Sequence, residues 1–172
     1  MKITISKINK ALDNEDKVLS SVSNEFRKPI ISEIYISNAK GYWGKIGKRQ
    51  GGYKLFVSRM YEQIPDENMA QRRLEECMIH ELIHTMPGRM NHGPKFKQVC
   101  SLVNRRYSNY NIQTRTDGEE YGVAPQEKAP AKYEIVCPHC GKTCFYCRLP
   151  KYSLDRYTCG RCHKDGLTMK KI

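Results

Sequence analysis

The five residues His80-Glu81-Leu82-Ile83-His84 constrain this chain more than any other stretch. On a helix, positions i and i+4 lie one turn apart on the same face, so His80 and His84 can grip one metal ion together. Glu81 then stands beside the metal as a base without ligating it. The helix is expected to begin at Asp66, a capping residue after Pro65, and to stop at Pro87-Gly88. Met69, Leu74, Met78, Leu82, Ile83 and Met86 fall near helical spacing between those limits. A catalytic zinc needs a third protein ligand. His92 is the candidate, because the short loop after His84 can fold back toward the metal. Pro94 then opens another helix, carried by Phe96, Val99, Cys100, Val103 and Tyr107.

HELIH followed by Asn91-His92-Gly93-Pro94-Lys95-Phe96-Lys97 resembles the SprT-like zinc metalloprotease family, in which a third histidine follows in an HG-x-x-F/W type motif. The resemblance implies that His80, His84 and His92 hold a catalytic zinc and that Glu81 is the catalytic carboxylate. The metzincin continuation HxxGxxH is absent, so the chain is not assigned to that group.

The second constraint lies near the C-terminus. Cys137-Pro138-His139-Cys140 and Cys159-Gly160-Arg161-Cys162 are two CxxC pairs with 18 residues between them, a zinc-ribbon spacing with four thiolates closing a tetrahedron. Cys144 and Cys147 form a third CxxC that could replace the first pair; the Pro and Gly of CPHCG favour Cys137 and Cys140 as the knuckle. His139 and His163 are expected to face solvent. A segment of about 40 residues cannot bury enough apolar surface to fold alone, so this zinc is structural. SprT-like proteins often carry such a ribbon, which extends the resemblance to the whole architecture.

The expected fold is α+β: a small zincin-like domain over residues 1–112, with a short antiparallel sheet beside the HExxH helix, then a linker over 113–132 and a zinc ribbon over 133–172. One or two helices are expected between Ile3 and Phe26, broken near Asn14-Glu15-Asp16. Residues 30–38 and 53–58 alternate as strands and are expected to pair as an antiparallel hairpin across a basic loop, with 53–58 a candidate guide for substrate backbone. Trp43 is expected in the core. Cys77 and Cys100, on apolar-patterned helices, read as small buried residues rather than nucleophiles, which argues against a cysteine protease. The stretch from Gln113 to Lys132, with Gly118, Gly122, Pro125 and Pro130, reads as the linker.

The net charge is +12, from 30 basic and 18 acidic residues. Residues 132–172 hold nine Lys or Arg against three Asp or Glu, half of that excess, which favours a nucleic-acid partner, DNA before RNA. Arg148, Lys151, Arg156, Arg161 and Lys164 alternate with Tyr146, Tyr152 and Tyr157, although each tyrosine singly reads as packing for the ribbon. MKITISKINK lacks an apolar signal segment and no stretch approaches a membrane span, so the expectation is a cytoplasmic protein with no membrane partner and with thiols kept reduced as metal ligands. The combined reading is a zinc metallopeptidase with one catalytic and one structural Zn2+, acting on protein or peptide substrates, some of them bound to nucleic acid. The alternatives are a nucleic-acid-binding zinc protein with little or no protease activity, a hydrolase of a non-peptide substrate, and an adaptor recruited through the ribbon.

Overall fold

The computed structural model describes residues 1–115, 118–123 and 130–172. Among these residues it is an α+β fold of three α-helices and two small sheets, in two compact units, Met1–Pro125 and Gln126–Ile172.

In the first unit, helix α1 spans Ile5–Val22, with Thr4 capping its first turn by accepting from the Lys7 N–H. It is one unbroken helix, which corrects the expected break at Asn14-Glu15-Asp16. The polar run misleads because Glu15 faces the core, 0% exposed, and takes a hydrogen bond from the Tyr110 hydroxyl at 3.1 Å. Helix α2 spans Glu67–Thr85 and starts as expected, with Asp66 accepting from the Met69 N–H at 2.7 Å. It is more deeply buried than an amphipathic surface helix. One of its sides packs Leu74 and Met78 against Trp43, Leu55, Val57 and Tyr61; another packs Ile79, Leu82 and Ile83 against Leu19, Phe26, Phe96 and Val103. Two apolar cores thus clamp the helix that carries both histidines. Helix α3, Pro94–Arg106, begins at the expected proline.

The sheet departs from the expected hairpin. Strands β1 (Ile31–Ser37), β2 (Gly44–Arg49) and β3 (Gly52–Ser58) lie in the order β1-β3-β2. β1 and β3 run parallel, while β3 pairs antiparallel with β2, the segment expected to be a basic loop. β2 offers a single buried apolar side chain, Ile46, among exposed Lys45, Lys48 and Arg49. Lysines of this kind blunt an edge strand against unwanted pairing, and they also erase the alternation by which strands are recognised. The two-residue turn is enabled by Gly51, at φ 83°. β3 is therefore central, and the strand edge beside α2 belongs to β2.

Residues Gln113 to Val123, expected in the linker, pack on this unit where they are described: Val123 is buried and the Tyr121 hydroxyl donates to Glu76. Positions 116–117 and 124–129 of the expected linker lie outside the described residues.

In the second unit, β4 (Tyr133–Val136), β5 (Thr143–Tyr146) and β6 (Thr168–Lys171) form an antiparallel sheet in the order β5-β4-β6. Among its described residues, Ile135, Cys137 and Cys159 are the buried apolar or thiol positions, a core too small to hold the sheet without cross-linking. No described helix is long and apolar enough to cross a membrane.

Candidate metal centres

The α2 spacing brings His80 and His84 together, and the loop ending at Pro94 returns His92 to them. The three Nε2 atoms form a triangle with sides of 3.2 Å (80 to 84), 3.1 Å (84 to 92) and 2.9 Å (80 to 92). A tetrahedral zinc about 2.05 Å from each nitrogen would space them about 3.3 Å apart, so the triangle fits such an ion. The protonation pattern points the same way. His80 Nδ1 lies 2.9 Å from the Gln113 carbonyl and His84 Nδ1 lies 2.8 Å from the Arg89 carbonyl. A carbonyl only accepts, so each Nδ1 carries the proton and each Nε2 turns a lone pair toward the other. Lone pairs opposed at this distance suit a cation held between them. Burial, together with the neighbouring imidazoles, pushes the His80 pKa down to about 3; His84 and His92 are lowered too, burial first.

Phe96 supports all three rings, with centroids 4.8, 4.6 and 4.8 Å from those of His80, His84 and His92. The loop carrying His92 is pinned by Arg89, which is buried, donates to the Pro87 carbonyl and pairs with Glu25 at 2.7 Å. Gln113, Arg89 and Glu25 carry no motif. The first two act through backbone carbonyls, which side-chain patterns cannot reveal.

Glu81 is 5% exposed, directly after His80 on α2 and against strand β2. Burial raises its pKa to about 7, with the Ile46 N–H and the Arg73 charge opposing. Gly44 makes that approach possible: a Cβ there would lie 2.5 Å from Cys77 Sγ and 3.1 Å from Glu81 Cγ. Ile46 pairs with Leu55 in the antiparallel ladder, and its N–H reaches Glu81, so the backbone groups of Gly44, Ile46 and Lys48 face the open edge of β2. Cys77 and Cys100 are buried as expected, and burial pushes both thiols up to about 12, far from nucleophilic. Trp43 is also in the core, 5.0 Å from the Tyr61 ring, while one side of it lines the cleft.

The second centre gathers Cys137, Cys140, Cys159 and Cys162. Cys137 and Cys162 approach to 3.6 Å, as do Cys140 and Cys159, near the spacing of about 3.8 Å for thiolates 2.3 Å from a tetrahedral zinc. The two pairs sit on matching turns. The Gly141 N–H bonds the Cys137 carbonyl and the His163 N–H bonds the Cys159 carbonyl; Gly141 and His163 both have positive φ, 69° and 57°. N–H groups of Cys162 and Arg161 lower the Cys159 thiol pKa and favour the thiolate a metal needs. Cys144 lies on β5 opposite Ile135 and Cys147 is exposed, both outside the cluster. His139 and His163 are exposed, as expected.

Tyr146 and Tyr152 depart from their expected packing role, whereas Tyr157 is half-buried against Tyr152. Tyr146 is 46% and Tyr152 49% exposed, Phe145 is 62% exposed, and the Lys151 ammonium and Arg156 guanidinium lie over the Tyr152 ring at 5.2 and 5.8 Å. No protein-family model, no curated protein and no solved structure matches the chain.

Proposed function

We propose that this chain is a zinc-dependent metallopeptidase of the SprT-like kind, with a catalytic ion on His80, His84 and His92 and a structural ion on Cys137, Cys140, Cys159 and Cys162. The observation that carries the reading is the convergence of three imidazole Nε2 atoms, those of His80 and His84 left unprotonated by their Nδ1–H bonds, with one buried carboxyl, Glu81, beside an open strand edge. When bound there, zinc supplies Lewis acidity toward a scissile carbonyl and lowers the pKa of water toward about 7. Glu81, with a pKa near the working pH, takes the proton of the attacking water and hands it to the leaving amine. The edge groups of Gly44 and Lys48 align an extended peptide as an added strand. This role passes to β2 from residues 53–58, which lie in the sheet centre.

The exposed Phe145, Tyr146 and Tyr152, interleaved with basic residues, support a nucleic-acid partner for the ribbon, single strands stacking on the rings while cations meet phosphates. The substrates would then include proteins bound to DNA. Cleavage of a disordered protein such as casein tests the reading, with zinc-loaded wild type and Glu81→Gln, each with and without single-stranded DNA. Wild type is expected to cleave at least about a hundredfold faster at equal zinc content. Equal rates would remove Glu81 from the chemistry. Salt-sensitive DNA binding with no Glu81-dependent cleavage would instead establish the binding-protein reading.

A further inference from the structure

The cleft beside the histidines, about 400 Å³, runs between α2 and the start of β2, and its wall includes a group that the proposed hydrolysis does not use: Arg73. The residue is 7% exposed. The guanidinium lies beside two rings that meet edge to face, 5.3 Å from the Trp43 centroid and 5.4 Å from that of Tyr121, with the ring centroids 6.0 Å apart. Those faces attract the cation but accept none of its N–H bonds in the guanidinium plane. Among the described residues, the buried Nε has no hydrogen-bond partner. Nη1 lies 3.6 Å from Glu76 Oε2, an ion pair longer than a hydrogen bond.

Glu76 is engaged elsewhere. Its Oε1 accepts from the Asn111 N–H at 2.9 Å and lies 3.6 Å from Arg72 Nε, and its Oε2 accepts from the Tyr121 hydroxyl at 3.1 Å. Glu76 thus faces two guanidiniums, the Glu81 carboxyl also feels the Arg73 charge, and Arg115 adds a positive charge on the cleft wall. A buried guanidinium on a cleft wall, held against two rings with its Nε unpartnered among the described residues and its Glu76 contact longer than a hydrogen bond, can take a carboxylate.

We propose that Arg73 forms an acidic-side-chain subsite, so that the preferred substrate is a peptide with Asp or Glu near the scissile bond. The proposal rests on reading the cleft as a peptide site. Arg73 precedes His80 by seven residues on α2, about 10 Å along the helix axis. An extended peptide covers that in about three residues, which places the acidic side chain two or three positions from the cleaved bond. A nucleic-acid strand is the weaker fit, because phosphates are met by rows of exposed cations and Arg73 is a single buried one.

Trp43 is the only tryptophan in the chain and stacks on Arg73, so its emission reports occupancy of the subsite. The zinc-loaded full chain is titrated with acetyl-Ala-Glu-Ala-Ala-amide and with its Gln counterpart, with calorimetry as a second readout. The Glu peptide is expected to bind at least about tenfold more tightly, Arg73→Met to abolish the difference, and Arg73→Lys to keep part of it. Equal affinity of the two peptides for wild type overturns the proposal whether or not the variants fold. So does discrimination that survives in a folded Arg73→Met, or an Arg73-dependent response to oligothymidylate in place of the acidic peptide. Acidic-peptide binding without any cleavage sustains the subsite and removes the peptidase reading. Cleavage of both peptides at equal kcat/KM removes the subsite and leaves the peptidase.

Discussion

Replacing Gly44 by alanine adds one methyl group at the point where strand β2 meets helix α2. The new Cβ would stand 2.5 Å from Cys77 Sγ, 3.1 Å from Glu81 Cγ and 3.2 Å from Glu81 Oε1. Ordinary carbon–sulfur contact is about 3.8 Å, so strand and helix must part by about an ångström or Cys77 must leave its place in the core. Overpacking of this kind costs about 1–3 kcal/mol. For a unit of this size that lowers Tm by roughly 4–12 °C. The strain has a named partner, which makes it separable from general damage. Cys77→Ala removes the sulfur and leaves only the tighter-than-usual contacts with Glu81. In a double-mutant cycle, Gly44→Ala is expected to cost about 1–2 kcal/mol less in the Cys77→Ala background than in wild type. Urea unfolding of the four proteins measures this directly. A cost below about 0.5 kcal/mol for Gly44→Ala, or simple additivity with Cys77→Ala, would refute the close packing that sets Glu81 against β2.

Two further outcomes follow from buried and metal-linked groups. Burial raises the Glu15 pKa from 4.5 to about 8, with the Glu75 charge adding to it and the Tyr110 hydrogen bond opposing. The folded chain holds this proton where the unfolded chain has lost it, so the stabilising contribution is complete below pH 4.5 and is lost as pH rises to about 8. Between those limits unfolding free energy should fall by up to about 1.4 kcal/mol per pH unit from this group, and Glu15→Gln should flatten that slope in chemical denaturation. In the ribbon, Cys159→Ser should release one zinc and erase the protection of β4 amides from hydrogen exchange, while leaving α2 protected; retained β4 protection would show that the sheet folds without its metal.

The two candidate ligand clusters were legible because their spacing is dictated by helical geometry and by knuckle turns: His80 with His84, and Cys137 with Cys140 and Cys159 with Cys162, need no tertiary knowledge. Asp66, Pro87-Gly88 and Pro94 mark helix ends through local backbone chemistry, so they too could be read directly. What escaped was whatever depends on the far side of a contact. Lys45, Lys48 and Arg49 look like a loop until β3 is beside them. Glu15 and Arg73 look like surface charges until Tyr110, Trp43 and Tyr121 surround them. Tyr121 and Val123 look like linker because the turn around Gly122 is polar, yet both return to the first core. The carbonyls of Arg89 and Gln113, which set the histidine tautomers, belong to the backbone and leave no trace in residue type.

The most direct measurement is zinc content per chain, by elemental analysis of purified wild type, His84→Ala and Cys159→Ser. Two separate centres predict two zinc ions in wild type and one in each variant, with chelators of moderate affinity removing the histidine-bound ion first. One ion in wild type that persists in His84→Ala would contradict a metal site at the three histidines, and with it the hydrolytic reading built on them.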